Sequence, residues 1–299
     1  MMLDCAVIGG GPAGLNASLV LGRSRRKTIL FDDDKPRNSV TKESHGFITR
    51  DGINPSELRR IARVELGNYP DVTIIKRRVE KVTKEHQRFT IETEAGDVYH
   101  AKKVILATGL KETFPEIYSL KQYYGTSVFS CPFCDGWELR DRPLAVIAEN
   151  TRAFHMAKVV YNWSSDLIVC TNGNKVLSIN DKTILENKGI SVYEQKISSL
   201  IGENGHLKKI SFEDGNTVRR EGGFVVPEMG QASTIGEELG CEFTDQGAII
   251  TDATGRTNVE GLFACGDTSI IAPSQLIIAA AAGSKTAIGV NAALFEETF

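Results

Sequence analysis

The sequence predicts an α/β fold built from two Rossmann-like, three-layer ββα units, the second inserted into the first. Three observations predict it. Between residues 3 and 32 a short apolar strand, a glycine-rich turn, a helical pattern and a second strand ending in an acid follow one another. A second strand–helix–strand run occupies 144–170. The segments around it alternate between strand and turn without the roughly 20–50-residue period of a solenoid or propeller.

The first strand is residues 3–8 (LDCAVI). Gly9-Gly10-Gly11-Pro12-Ala13-Gly14 turns the chain into a helix through Leu15, Leu19 and Leu21, and Thr28-Ile29-Leu30-Phe31 is the next strand, ending at Asp32. This order suits a dinucleotide. Gly9 permits the tight turn, Gly11 lets backbone approach a pyrophosphate, and Gly14 lets the helix pack on the strand. The helix start, at Pro12 and Ala13, offers free N–H groups and positive potential to phosphates. Asp32 stands where a carboxylate can hold ribose hydroxyls.

Residues 54–66 predict a helix with Asn54 as cap and Pro55 at its first position. The alternating stretches 72–83, 88–94 and 98–106 predict a small antiparallel meander feeding back into the sheet. Val104 to Gly109 is a buried strand ending in a small-residue turn, where Thr108 and Gly109 bring backbone close to a ligand. A polar and aromatic stretch, Lys111 to Tyr124, follows. The second unit has strand Leu144 to Ile147, helix 152–162 and strand Leu167 to Cys170. Strand-like segments at 190–194 and 207–212 lead to Phe224-Val225-Val226. The chain closes with Gly261-Leu262-Phe263-Ala264-Cys265-Gly266-Asp267 and a small-residue helix from Gln275 to about Leu294.

Cys131-Pro132-Phe133-Cys134-Asp135-Gly136 stands between the two units. Cysteines at this spacing close a small disulfide ring or share a metal, and one thiol of such a pair has a lowered pKa that makes it a nucleophile. Half a zinc site needs a second ligand pair, and Cys5, Cys170, Cys241 and Cys265 are isolated. The pair therefore reads as a redox dithiol, with Asp135 placed to hand a proton to a departing thiolate. Cys5 and Cys265, inside apolar strands, read as buried structural thiols. His45, in the loop SHGFITRDG, either contacts a ligand or is satisfied by backbone.

The composition is that of an ordinary globular protein. Over 299 residues, 41% are hydrophobic and 24% charged, with net charge −3 and pI near 6.0. No excess of positive charge draws the chain to nucleic acid. The basic run Arg23 to Lys27 reads as a solvated helix end. Met1-Met2-Leu3-Asp4 has no basic segment followed by an apolar one, so no signal peptide is expected. The apolar run Leu276 to Gly283 is too short to span a bilayer. A soluble, cytoplasmic protein is the expectation, and the dithiol suggests a reducing compartment.

Taken together, GGGPAG, VILATG, CPFCDG and GLFACGD, in this order and spacing, resemble the low-molecular-weight thioredoxin reductases, the class II pyridine nucleotide-disulfide oxidoreductases, over nearly the whole chain. The form CPFCDGWE is closer to the thioredoxin reductase-like branch that includes dithiol oxidases. The resemblance implies an FAD domain from residues 1–110 and 226–299, and a smaller domain, 111–225, carrying the dithiol. It implies that Gly9, Gly11, Gly14 and Asp32 hold the ADP half of FAD, with Pro12, Ala13, Thr108, Gly109 and Gly266 lining the same site. Asp267 would bind the ribityl chain, and Gln275 would open the helix facing the flavin. Cys134 would be the flavin-side thiol, Cys131 the one that attacks a substrate disulfide, and Asp135 the proton donor. Members are usually homodimers, and the implied partner is a thioredoxin-like protein or a small dithiol.

The chain departs from the reductases where they bind NADPH. Their strand runs into a glycine loop; here Ala145-Val146-Ile147 runs into Ala148-Glu149-Asn150-Thr151-Arg152-Ala153. Without glycine the backbone cannot approach phosphates closely. Glu149 adds a repulsion on the order of 1–4 kcal/mol against a pyrophosphate, which Arg152 partly offsets. The basic cluster that grips a 2′-phosphate is replaced by Cys170-Thr171-Asn172-Gly173-Asn174, with only Lys175 nearby. The expectation is a flavin disulfide oxidoreductase with a donor other than NADPH, similar in this to ferredoxin-dependent and diflavin-linked branches of the family. The alternatives are an NADPH-dependent reductase with an atypical loop, an oxygen-using dithiol oxidase, and a flavin-binding redox sensor without turnover.

Overall fold

The computed structural model describes residues 2–299. In chain order, β1 (Met2–Ile8), α1 (Pro12–Arg23), β2 (Thr28–Phe31), α2 (Pro55–Leu66), β3 (Val72–Ile75), β4 (Val79–Glu85), β5 (Arg88–Thr93) and β6 (Val98–Leu106) come first. After β7 (Leu110–Thr113) the chain forms α3 (Leu120–Tyr123), β8 (Val128–Phe129), α4 (Pro132–Asp135), β9 (Leu144–Ile147), α5 (Arg152–Val160), β10 (Leu167–Cys170), α6 (Ile179–Glu186) and β11 (Ser191–Tyr193). Then come β12 (Ile197–Glu203), β13 (His206–Phe212), β14 (Thr217–Arg219), β15 (Gly222–Val225), β16 (Glu228–Gln231), α7 (Ile235–Glu238), β17 (Leu262–Ala264) and α8 (Leu276–Glu296). The chain divides into two compact units. One comprises the chain up to Ser39, Gly46–Lys111 and Met229–Phe299; the other comprises Val40–His45 and Glu112–Glu228.

In the first unit β1 lies between β2 and β6, parallel to both, and β3 extends the sheet beyond β2. The early part of β6 pairs antiparallel with β5, which pairs with β4, while its last three residues pair in parallel with β17. Side chains alternate across this sheet as the two-residue period of a strand requires. Cys5, Val7, Leu30, Ile105 and Phe263 join the core shared with α1 and α8; Ala6, Ile8, Phe31, Val104 and Leu106 join that of the meander. Each large side chain so buried contributes about 1.5–3 kcal/mol. The sheet is therefore the rigid base on which the loops at its carboxyl ends stand.

The stretch 72–83 is not one meander strand. It breaks after Ile75, and β3 is a parallel edge strand whose register with β2 runs from Thr28↔Val72 to Phe31↔Ile75. Helix α8 is longer than the apolar run visible in the sequence. At 21 residues it is long and apolar enough by composition to cross a bilayer. In the fold its small-residue face packs on α1 so tightly that a Cβ at Gly283 would stand 2.0 Å from the Ala13 carbonyl oxygen.

In the second unit β11, β10, β9, β15 and β8 form a fully parallel sheet in that order. Leu144, Val146, Val169 and Phe224 face the helical layer with Ala153, Ala157 and Leu185. Ala145, Ile147, Ile168 and Val225 face the three-stranded antiparallel sheet β12-β13-β14 through Ile197, Leu200, Ile210 and Phe212. Neither α6 nor β12 is evident from sequence periodicity. Helix α6 depends on a capping box between Ser178 and Asp181, a device that satisfies two helix-start donors without an amphipathic signal.

Candidate active site

The glycine-rich turn is built as the sequence requires. Gly9 has φ +113°, and a Cβ on it would lie 2.2 Å from the Ala107 carbonyl oxygen. A Cβ on Gly14 would lie 1.9 Å from the Gly9 carbonyl oxygen. Gly11 differs, because its Cβ would project into open space with nothing within 4 Å. It is also the N-cap of α1, with no capping side chain, Pro12 and Ala13 next, and no acid in the first turn. The helix start is thus left open to an anion.

Asp32, 5% exposed, closes β2 beside this turn. Its Oδ1 accepts from the Asp34 N–H at 2.9 Å, and its Oδ2 accepts from Arg63 Nη2 at 2.5 Å. Arg63 also reaches Asp34 Oδ1 at 2.7 Å, and Arg59 reaches the same oxygen at 2.6 Å. The Arg63 hydrogen bond, ahead of Arg59, holds the Asp34 carboxyl below the usual carboxylate range. The sequence reading missed both arginines; the signal was their spacing of four on α2, which puts them on one helix face.

The other expected cofactor residues gather in the same unit. Gly109 has φ +71°, and its N–H donates to Thr268 Oγ1 at 2.7 Å, next to Thr108 Oγ1 at 3.4 Å from the same oxygen. Gly266, φ +66°, faces the Ala13 side chain. Asp267 Oδ2 accepts from Arg37 Nη2 at 2.8 Å and from Ser274 Oγ at 2.5 Å. Gln275 is the N-cap of α8. Thr268, Arg37 and Ser274 were not anticipated. An open anion site at a helix start, an acid at the β2 end and a polar turn before α8 fit FAD.

The dithiol lies in the second unit. Cys131 and Cys134 are joined by a disulfide, with Cα atoms 5.3 Å apart. Ser130, leaving β8, donates to Glu112 Oε1 at 2.9 Å, and the Tyr124 hydroxyl donates to the same carboxylate. Cys131 then caps the short helix α4. Its carbonyl accepts from the N–H groups of Cys134 and Asp135, both at 3.1 Å. Gly136 is needed for packing, because a Cβ there would lie 2.6 Å from the Trp163 ring. Phe133 and Trp137 are exposed, Phe133 edge-on to Trp163 and Trp137 beneath the Arg140 guanidinium.

Asp135 is half-buried. Burial, with the nearby Glu138 carboxylate adding to it, pushes its carboxyl up to about 7, against a smaller opposing effect of His45. Such an acid holds a proton near neutral pH and can give it to a thiolate. His45 Nε2 lies 3.6 Å from Glu43 Oε2 and 3.7 Å from Glu138 Oε1, so side-chain carboxylates face it. The remaining cysteines are buried, and burial pushes the thiols of Cys170 and Cys265 up to about 12. They are not nucleophiles at neutral pH.

The side chains of the loop after β9 are engaged in hydrogen bonds. Ala148 is fully buried. Glu149 Oε1 accepts from Asn172 Nδ2 at 2.5 Å, and Asn172 Oδ1 in turn accepts from the Ile197 N–H at 2.8 Å. Asn150 Oδ1 accepts from the Arg152 N–H at 3.0 Å, which occupies a donor at the start of α5. Arg152 does not offset Glu149, as its position in the sequence suggests. It turns to the Pro227 carbonyl at 2.8 Å and to Glu228 at 3.1 Å.

Residues 3–284 match the family model for pyridine nucleotide-disulphide oxidoreductases. The chain belongs to this family. Among its relatives, thioredoxin reductase aclD of Aspergillus oryzae is 32% identical over 99% of this chain and 98% of its own length. The solved structure of TrxB from Bacillus anthracis is 48% identical, with TM-score 0.96, and covers 99% of this chain and 100% of that one. Thioredoxin reductase from Streptococcus pyogenes is 25% identical, with TM-score 0.89, over 100% and 99% of the two chains. This pyridine nucleotide-disulphide oxidoreductase is a thioredoxin reductase-like flavoprotein enzyme with two Rossmann-like domains.

Proposed function

We propose that this oxidoreductase passes electrons between FAD, the Cys131–Cys134 pair and a thioredoxin-like protein or small dithiol, and that its other redox partner is not NADPH. The observation that carries the second part is the loop after β9. Glu149 and Glu228 add two carboxylates beside this loop, the first paired with Asn172 and the second with Arg152, and Asn150 takes one N–H at the start of α5. One phosphate-binding device, the glycine cradle, is thus absent, and one donor of the other, the helix start, is already used.

Gly9, Gly11, Gly14 and the first turn of α1 would hold the FAD pyrophosphate, Asp32 the adenosine ribose, and Asp267 the ribityl chain. Bound FAD supplies two-electron chemistry toward a dithiol and one-electron chemistry toward a carrier such as ferredoxin. The protein's own residues perform the exchange. A substrate thiolate attacks the Cys131 sulfur, the Cys131–Cys134 bond breaks, and Cys134 leaves with a proton from Asp135. The second substrate thiol then displaces Cys131. The products are a substrate disulfide and the enzyme dithiol, with two electrons and two protons moved. The reverse sequence reduces a protein disulfide.

A loop without the glycine cradle equally suits the direction of a dithiol oxidase, which needs no nicotinamide; dithiol-driven oxygen uptake distinguishes it. The exposed apolar stripe Ile277, Ile288 and Phe295 on α8 supports pairing with a second copy, which sedimentation tests. The deciding experiment is an anaerobic titration of the yellow protein with NADPH and with NADH, following flavin bleaching. Bleaching by dithionite and reduced ferredoxin but by neither nucleotide is expected. Rapid bleaching by NADPH overturns the reading and makes the protein an NADPH-dependent reductase with an unusual loop.

A further inference from the structure

The acid beside the disulfide has neighbours that this exchange does not use. His45 ends the Val40–His45 segment, which belongs to the second unit although it lies far from the dithiol in sequence. Its side chain is 17% exposed, and its Nε2 lies 3.7 Å from Glu138 Oε1. Glu138 follows Asp135 by three residues in the same turn of chain, a spacing that brings two side chains to one side of a helical turn. Its other oxygen, Oε2, is buried and has no hydrogen-bond partner among the described residues. The charged groups facing Asp135 are therefore Glu138, from its own turn, and His45, from a distant segment, with Glu43 against the same imidazole nitrogen at 3.6 Å. An anion and a potential cation flank one proton donor and act on it in opposite senses.

We infer that His45 and Glu138 are positioning residues for the proton donor, Glu138 holding the proton on Asp135 and His45 easing its transfer to Cys134. The inference rests on the reading of Asp135 as that donor. A lone buried carboxyl has its proton affinity set by desolvation alone. Here one negative and one positive neighbour adjust it on top of burial, so the acid is tuned by two residues outside the exchanging pair. A half-buried carboxylate such as Glu138, with one oxygen out of reach of water and protein donors, is costly unless a cation stands beside it. His45 supplies that cation when protonated, which links the two roles.

The test is the pH dependence of disulfide opening by dithiothreitol in the intact protein. Opening is read by quenching with an alkylating agent and weighing the Cys131/Cys134 peptide, a readout independent of the flavin. The rate is divided by the thiolate fraction of the reagent, which leaves a fall on the alkaline side as Asp135 loses its proton. Glu138→Gln is expected to move the midpoint of this fall down, and His45→Asn to move it up, each by about one pH unit. A merely structural role moves neither midpoint in a preferred direction. Unchanged midpoints, or both shifting the same way, overturn the inference provided Asp135→Asn abolishes the fall. A fall that persists in Asp135→Asn overturns the donor reading and the inference with it. His45→Gln is the second variant if His45→Asn does not fold.

Discussion

Replacing Arg63 by methionine tests how the first unit holds the acid at the end of β2. Asp32 is 5% exposed and takes its cation from Arg63 at 2.5 Å. Arg59 serves Asp34, so it does not substitute. Breaking a buried ion pair by removing one partner costs about 3–5 kcal/mol, because the other charge remains buried and unpaired. Arg63 keeps 20% of its side chain in solvent, so water can reach part of the gap and the cost falls below that range, to about 2–3 kcal/mol. If Asp32 holds the FAD ribose, a share of that cost falls on the cofactor. Each 1.4 kcal/mol is tenfold in affinity, so about ten- to a hundredfold weaker FAD binding is expected. Two assays read this: fluorescence titration of the apoprotein with FAD, and thermal unfolding, where a fall on the order of 5–10 °C is expected. The double variant Arg63→Met, Asp32→Asn removes the stranded charge and should recover part of the melting temperature. A single variant that melts and binds FAD like the parent refutes the reasoning.

Three further outcomes follow from the geometry. Gly11→Ala points its methyl into open space, so the melting temperature should hold while FAD binding weakens; Gly14→Ala meets the Gly9 carbonyl oxygen at 1.9 Å, should cost about 1–3 kcal/mol, and should lower both. The Asp135 carboxyl is raised to about 7 from an unfolded value near 3.9, so the folded chain keeps a proton that the unfolded chain releases. Stability is therefore lost as pH rises from about 4 to about 7. Asp135→Asn should remove this slope, gaining on the order of 4 kcal/mol at pH 8 over the parent relative to pH 4, as urea denaturation at the two pH values will show. Cys131→Ser should abolish dithiol–disulfide turnover while FAD absorbance remains; a variant that keeps full turnover rules out Cys131 as the exchanging thiol.

Much of the fold was legible because it rests on local rules. The turn after β1 needs glycine at Gly9 and Gly14 whatever surrounds it, since backbone oxygens stand where a Cβ would be. The strands Thr28–Phe31 and Leu144–Ile147 are short apolar runs between turn signals, and both lie where the pattern puts them. Helix α2 starts at Pro55 behind Asn54, whose side chain accepts from the Ser56 N–H. The stretch 72–83 was harder, because alternation alone does not tell a meander strand from a parallel edge strand. That choice depends on the partner, and β3 found β2.

By itself the sequence determined the α/β class, the dinucleotide turn, the dithiol with its following acid, and the missing glycines after β9, because each is a property of a few consecutive residues. Only the tertiary structure decided what the isolated charges do. Arg63 meets Asp32 across 31 residues, Arg37 meets Asp267 across 230, and Glu149 meets Asn172 across 23. His45 stands among carboxylates near Asp135 because the Val40–His45 segment joins the second unit. The physical reason is range. Backbone sterics and side-chain periodicity act over one turn or one strand, whereas a buried charge takes as its partner whatever the packed fold brings within a few ångströms.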